Sequence, residues 1–543
     1  MSDDLNFSGN RDGIEAGIGG DKKAASITEE LVSRVSKPLL ILFYIGAFVA
    51  VFLAGLQAVI PASFFVYAAH AWNVEVSSLW MLASYLIGYV SFVLPAFRVS
   101  EQTGRLATFW FGVVLFVIFT GVSGHAKTSY TFAVLRAFQG VGAGIVTSIA
   151  VLVVGSHTSD RNRALAVGGL CAAQFLGVGA AHTIGGKLAV DEHYRWGVYL
   201  AAPLMAAPAI LCTPALVVDK RVPWNEPALR RVVRFDYVGS LLLFGAAIME
   251  TMGLTFGGNE HGWSSAIVVC LIVFGVVCIA AFLAWEKLGA SRPIFDTQWL
   301  HRRNLQISMI STLLISMVFF SLAVYVPILY ITARTQPTSV AGRRAAPFWG
   351  MTVASAVVAG VLIRMRSQLA RPLAWVGLGI GAIFTGLYYT IGLEEEASKE
   401  RAYYAMAGLG VGLAYPAVNY IAQMSVPLDD AGAAAVVSHF LSVVGGMLGL
   451  ILYQACLKSR LIYNMTPVFK SNPLLATFDI GSMDIAALEA SGPTLLSYVP
   501  TMTELVGMKL VESLRTTFVL SVPLLGAALI ATLLYKHHGV VRT

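Results

Sequence analysis

Arg136 lies in the segment L-R-A-F-Q-G-V-G-A-G, Leu135 to Gly144, inside an apolar run from about Tyr130 to Val154. That run is long enough to cross a bilayer. An arginine at the centre of such a helix costs roughly 2.5–3.5 kcal/mol, so something must offset it. On a helix Arg136, Gly140 and Gly144 are four residues apart and share a face, with Gln139 beside them. Glycines at that interval let a second helix backbone approach closely, while the arginine and glutamine want polar partners or water. Two readings fit. One is a packing seam with a single charge near the membrane surface; the other is one wall of a polar path through the membrane, which the rest of the chain favours.

Three further ionisable side chains fall within apolar runs: His182, His439 and Glu250. Histidine titrates near pH 6.5 and is suited to binding and releasing a proton, though a histidine in a helix bundle also serves as a neutral packed donor. Glu250 is the one acidic residue well inside a span and the default proton carrier, unless it is paired or near the interface. Gln57, Tyr85, Gln174, Tyr415, Asn419 and Gln423 are also polar residues within apolar runs. Any one of them alone is equally well an interhelical hydrogen bond, worth about 0.6 kcal/mol. Enzyme chemistry finds no support. There is no G-x-x-x-x-G-K-[ST] phosphate loop, and no His, Cys and carboxylate cluster with metal spacing. The five cysteines, Cys171, Cys212, Cys270, Cys278 and Cys456, fall within or at the edges of apolar runs and read as small packing residues. No metal and no cofactor is expected.

The elements that must hold these groups follow from composition. Of 543 residues, 57% are hydrophobic and 12% charged, against roughly 25% charged in a soluble domain. The chain reads as an all-α polytopic membrane protein. Fourteen spans are predicted at 39–63, 76–97, 106–124, 130–154, 164–189, 196–217, 237–256, 265–285, 307–331, 346–364, 373–392, 402–425, 433–456 and 517–535. An even count puts both termini on one side. Basic residues such as Arg34, Arg98, Arg105, Arg161, Lys220, Arg230, Arg302, Arg364 and Lys536 place that side in the cytosol, with Asp191-Glu192 and Glu394-Glu395-Glu396 opposite. Arg343-Arg344, on the outer side, runs against the pattern. The formal charge of +7 reads as loop charge facing lipid headgroups, not as a nucleic-acid footprint. Residues 1–37 are polar and lack the apolar core of a signal peptide, so a disordered cytosolic tail is expected. Residues 218–235 form a basic cytosolic connection and 457–516 a long outer loop, in which Asn464-Met465-Thr466 is a glycosylation sequon.

The span-4 segment resembles a motif of the major facilitator superfamily, specifically of its fourteen-span drug:proton antiporter branch, common in fungi and bacteria. Gly177 to Gly186, G-V-G-A-A-H-T-I-G-G, is similar to that branch's span-5 antiporter motif, with Ala181 and His182 where its Gly-Pro pair would stand. Arg195-Trp196 with Pro203 is similar to its opening of span 6, and Thr255 to Glu260 with Trp263 to its loop after span 7. Gly445-Gly446-Met447-Leu448-Gly449 resembles the glycine-rich part of span 13. The loop F-R-V-S-E-Q-T-G-R after span 2 keeps Gly104-Arg105 but has Phe97 and Glu101 where the family has Gly and Asp. The family's acidic residue in span 1 is replaced by Phe52 and Leu53, although Gln57 and Pro61 remain.

The resemblance implies a six-helix half (38–217), a linker pair of helices (236–290) and a second half (291–543) rocking around a midplane cavity. Arg136 and Gln139 would then serve coupling, with His182, His439 or Glu250 carrying protons in place of the missing span-1 carboxylate. Gln57, Tyr85, Gln174, Tyr415, Asn419 and Gln423 would face the substrate. Gly140, Gly144, Gly177, Gly185 and Gly186 would form helix seams. Glu101, Gly104 and Arg105 would form a latch, the two charges pairing with each other or with a neighbouring helix end. The expected protein is a monomeric carrier in a lipid bilayer, exporting small amphipathic compounds (drugs, toxins or secondary metabolites) by proton antiport. The plasma membrane is the expected site and the vacuolar membrane the alternative. A siderophore or amino-acid carrier on the same fold and a non-transporting membrane sensor are the other readings.

Overall fold

The computed structural model describes residues 36–64, 78–190, 194–219, 236–257, 261–289, 299, 301–334, 336–394, 396–471 and 500–536. The expected N-terminal tail, nearly all of the basic connection, Gly258 to Glu260 and the centre of the long loop lie outside the described residues. Among the described residues, fourteen helices are long and apolar enough to cross a membrane. They are α1 (Lys37–Ser63), α2 (Trp80–Thr103), α3 (Arg105–Ser123), α4 (Ser129–His157), α5 (Asp160–Leu188), α6 (Arg195–Val218), α7 (Tyr237–Phe256), α8 (Ala266–Leu288), α9 (Arg303–Ala333), α10 (Thr338–Met365), α11 (Ser367–Thr390), α12 (Ala397–Met424), α13 (Leu428–Val468) and α14 (Gly507–Leu533). All fourteen predicted spans are present, but several helices overrun them. α10 starts at Thr338 and carries Arg343 and Arg344 within its first turns, and α12 starts at Ala397. Hydropathy detects only the part of a helix matched to hydrocarbon, whereas backbone hydrogen bonding continues into the headgroup zone where charges are tolerated.

The long outer loop is shorter than its predicted 457–516 for the same reason. Helix continues from Ala431 to Ser471 and resumes at Pro500. Asn464 therefore sits on a helix, its amide donating to Ser513 Oγ at 2.9 Å. A glycan on that nitrogen would displace the bond and the packing around it.

Glycine seams build the two halves, and they build them alike. A β-carbon on Gly140 or Gly144 of α4 would overlap the Tyr85 or Tyr89 carbonyl of α2. In the second half, Gly408 and Gly412 of α12 press in the same way on Phe348 and Thr352 of α10. Gly177 of α5 meets Phe52 of α1, and Gly445 and Gly449 of α13 meet Leu313 and Met317 of α9. Without a hydrophobic drive between helices in lipid, such close backbone approach is what holds them together. The α2·α4 and α1·α5 pairs of the first half thus recur as α10·α12 and α9·α13 in the second.

The linker pair seals one flank. Phe244 of α7 packs edge-on to Phe92 of α2 with centroids 6.4 Å apart, and Thr251 donates to Met447 Sδ of α13 at 2.9 Å. α7 therefore covers the line where α2 of one half meets α13 of the other. α8 packs on the outside of α7 and turns most of its apolar side chains outward, as a lipid-facing helix should.

Candidate functional site

Among the described residues, two adjoining cavities lie between the halves. Val51, Gln174 and His439 line both. Tyr85, Tyr89 and Phe320 complete the first; Cys171, Tyr415, Asn419 and Gln423 stand on the second. Five of the six residues expected to face a substrate (Tyr85, Gln174, Tyr415, Asn419 and Gln423) are thus brought together, and His439 joins them. Neither wall carries an Asp, Glu, Lys or Arg among its described lining residues. The surface offers aromatic faces, amides, hydroxyls and one imidazole.

The rims of this space are made by both halves. Near the expected outer end, Gly186 of α5 meets the Thr338–Ser339 backbone of α10, and Gly342 meets the backbone of His182. Near the inner end, Gly168 of α5 meets Gly360 of α10, while Gly155 of α4 meets Gly432 of α13. Between them Phe175 of α5 packs against Phe319 of α9 at 4.6 Å and Tyr415 of α12 at 5.4 Å between centroids.

Gln57 does not line the cavities; it belongs to the Arg136 cluster. Arg136 is fully buried. Its Nη1 donates to Gln139 Oε1 at 2.7 Å and to Gln57 Oε1 at 3.2 Å, and its Nη2 donates to the Gln57 carbonyl. Gln139 donates in turn to Thr120 of α3 at 2.7 Å. The guanidinium lies 4.5 Å from the centre of the Tyr85 ring, and Tyr85 itself lines the first cavity. No carboxylate neutralises it among the described residues; carbonyl dipoles and an aromatic face do so instead. Arg136 therefore stands one side chain behind the cavity wall, knitting α1, α3 and α4 together and backing Tyr85.

His182 is also set apart. It is buried near the outer end of α5, with Nδ1 3.5 Å from Ser63 Oγ of α1, and lines neither cavity. Glu250 points toward α8, its carboxylate against Gly275, on the side of α7 away from the cavities. Gly185 packs on Ser63. At the expected latch, Glu101 pairs with Arg98 at 2.9 Å on the surface rather than with Arg105. Arg105 reaches instead to Asp219 at the end of α6, at 2.6 Å, with both side chains buried. His157 Nε2 of α4 lies 3.8 Å from the same carboxylate oxygen. Gly104 makes the hinge between α2 and α3 with φ of 101°, a left-handed conformation that strains any residue with a β-carbon.

Tyr89 and Thr147 were not among the residues singled out from the sequence. Tyr89 follows Tyr85 by one helical turn and donates to Thr147 Oγ1 of α4 at 2.8 Å. Its oxygen also stands 2.7 Å from His439 Nε2 of α13, across the division between the halves. The seam does not reveal them: Gly140 and Gly144 meet the backbone of Tyr85 and Tyr89, a contact that does not depend on side-chain identity.

A family model described as the Major Facilitator Superfamily matches residues 44–450. Among curated proteins, the MFS-type transporter ppz2 of Metarhizium majus is 25% identical over 415 residues, covering 76% of this chain and 70% of the relative. The MFS-type efflux transporter ffsH of Aspergillus flavipes is 23% identical over 453 residues, covering 82% and 78%. The efflux pump dotC of Dothistroma septosporum is 24% identical over 457 residues, covering 83% and 77%. Among solved structures, a bacterial homolog of the human lysosomal transporter Spinster, inward-facing and occupied, superposes with a TM-score of 0.56 at 14% identity, covering 92% of this chain and 97% of that one. That likeness speaks to the fold.

Proposed function

This chain belongs to the major facilitator superfamily, and on that fold we propose an exporter of small, uncharged amphipathic compounds, drugs or secondary metabolites among them, driven by proton exchange at the plasma membrane. The observation that carries the reading is the cavity lining. Aromatic rings and amides face the space, and no formal charge stands among its described lining residues. A cation or a carboxylate moved from water into such a site would lack a counter-charge, whereas an apolar body with a few hydrogen-bonding groups meets suitable partners. Relatives whose names describe efflux support the direction. The absence of a phosphate loop from the sequence leaves an ion gradient as the natural drive. Substrate would enter from the inner leaflet or cytosol, be enclosed behind the α5·α10 contact, and leave once the outer rim parts.

The test is accumulation in inside-out membrane vesicles, comparing a neutral lipophilic dye (Nile red) with a cationic dye (rhodamine 6G). The expected result is uptake of the neutral dye that depends on an imposed pH gradient and exceeds that of empty-vector vesicles. Preference for the cationic dye, or uptake indifferent to the gradient, would overturn the reading.

A further inference from the structure

We infer that Nδ1 of His439 is the point at which a proton and a hydroxyl-bearing neutral substrate exclude one another, with Tyr89 and Thr147 holding the ring for that exchange. The inference rests on the exporter reading above and names where its coupling occurs.

The geometry fixes the tautomer. Thr147 Oγ1 donates its one hydrogen to the Ala143 carbonyl at 2.8 Å, shared with Gly144 at 3.3 Å. It can therefore only accept from Tyr89, whose single O–H is thereby used at 2.8 Å. What remains to Tyr89 is a lone pair, so at 2.7 Å His439 Nε2 must bring the hydrogen. The chain of donors runs from His439 to Tyr89 to Thr147 to the α4 backbone. In neutral His439 the other nitrogen, Nδ1, is then a bare acceptor. No described residue hydrogen-bonds to it, the side chain is 8% exposed, and the ring lines both cavities.

That leaves Nδ1 two occupants. In one state it carries a proton, and His439 presents an N–H to the cavity. In the other the Nδ1–H bond breaks, the proton leaves to water through whichever rim is open, and the freed lone pair accepts the O–H of the substrate. Nε2 keeps its hydrogen and its bond to Tyr89 in both states, so the ring does not turn. Exclusion at one atom is enough to couple the two species, because each lowers the affinity for the other by the same factor.

The titratable groups facing His439 are few. α2 contributes Tyr85 and Tyr89, α5 contributes Cys171 and α12 contributes Tyr415; α4 brings Thr147, and Arg136 stands beyond the Tyr85 ring. α9 contributes Phe320. Glu250 of α7 is turned toward α8. On α13 itself the nearest charges, Asp430 and Lys458, are roughly two turns or more away along the helix.

The experiment uses the purified full chain in detergent with two neutral probes, 4-hydroxymethyl-7-methoxycoumarin and 4-methyl-7-methoxycoumarin, which differ by one hydroxyl. Affinity is followed by fluorescence between about pH 3.5 and pH 8, spanning ordinary histidine titration and the acid range below it, and proton release is followed with an indicator dye in weak buffer. For the hydroxylated probe, affinity should rise about tenfold per pH unit on the acid side and then level off, with about one proton released per probe bound there. The methyl probe should bind without pH dependence and release none. His439→Gln retains a donor for Tyr89 and an acceptor for the hydroxyl but does not titrate; it should keep a preference for the hydroxylated probe that does not vary with pH, with no proton release. His182→Gln should behave as wild type. Tyr89→Phe, by freeing the ring to turn, should reduce the preference for the hydroxylated probe severalfold while pH dependence persists. Proton release that survives His439→Gln, or that accompanies the methyl probe, would overturn the inference. If wild type binds both probes alike and releases no proton, His439 falls and the exporter reading stands. If it binds neither, the neutral-substrate reading falls with it.

Discussion

Arg105 donates to the Asp219 carboxylate at 2.6 Å, joining the start of α3 to the end of α6 where both side chains are shielded from water. A buried pair of this kind adds little net stability over an apolar isostere, but removing one member strands the other charge. Arg105→Ala should therefore lower stability by about 3 kcal/mol, read as the detergent-solubilised melting transition. The double variant Arg105→Leu with Asp219→Leu should recover most of that loss. Equal destabilisation by the single and double variants would show that the contact is not a paired charge.

Arg136→Ala should reduce Nile red uptake per molecule at least tenfold, about 1.4 kcal/mol in barrier terms, while surface abundance stays near wild type. The guanidinium forks between the Gln57 carbonyl, Gln57 Oε1 and Gln139 Oε1, and it backs the Tyr85 ring on the cavity wall. Arg136→Lys should rescue only partly, since an ammonium is a point charge without the planar fork. Unchanged uptake per molecule in the alanine variant would return Arg136 to a packing role.

The seams give a symmetric prediction. Gly144→Val in α4 and Gly412→Val in α12 occupy corresponding places, one against Tyr89 and the other against Thr352 and Ser355. Each should destabilise its own half by roughly 1–3 kcal/mol through overpacking, visible as lowered melting and accelerated proteolysis. Gly379→Val, where a β-carbon meets open space, should be close to neutral. If all three behave alike, the seam argument is wrong.

Much of this is legible in the sequence because membrane helices announce themselves by length and apolarity, and the Gly140–Gly144 interval marks a seam without naming its partner. Helix ends are not, since hydropathy stops where lipid does: it starts α12 at 402 and leaves Glu400 outside the span. Pairings between helix ends were also hidden. Arg105 and Asp219 are separated by 114 positions, and nothing local to either indicates the other. The role of His439 could be guessed from its type, but its tautomer depends on Tyr89 and Thr147 from two other helices, which only packing brings together. Gln57 was assigned to the cavity because it is polar and in α1; the buried arginine nearby draws it away.

Glu250 and Glu400 provide the last test, because the sequence singles out Glu250 and gives Glu400 no role. Glu250 was the acidic residue inside a span, yet its carboxylate faces Gly275 of α8, outside the cavity. Glu400 accepts from Arg334 at 2.6 and 3.1 Å and from Tyr330 at 2.7 Å, in a buried cluster binding α12 to the outer end of α9. Arg334 also donates to the Gly392 carbonyl at 2.6 Å, tying in the segment between α11 and α12. Glu400→Gln keeps the shape but removes the charge opposing Arg334, so it should destabilise by about 3 kcal/mol and lower the melting transition. Glu400→Gln with Arg334→Gln should restore part of the loss. Glu250→Gln, by contrast, should leave both stability and gradient-driven Nile red uptake within about twofold of wild type, since a linker carboxylate turned toward α8 serves neither rim nor cavity. Abolished coupling in Glu250→Gln, with uptake down the dye gradient intact, would move the proton path into the linker pair and away from His439.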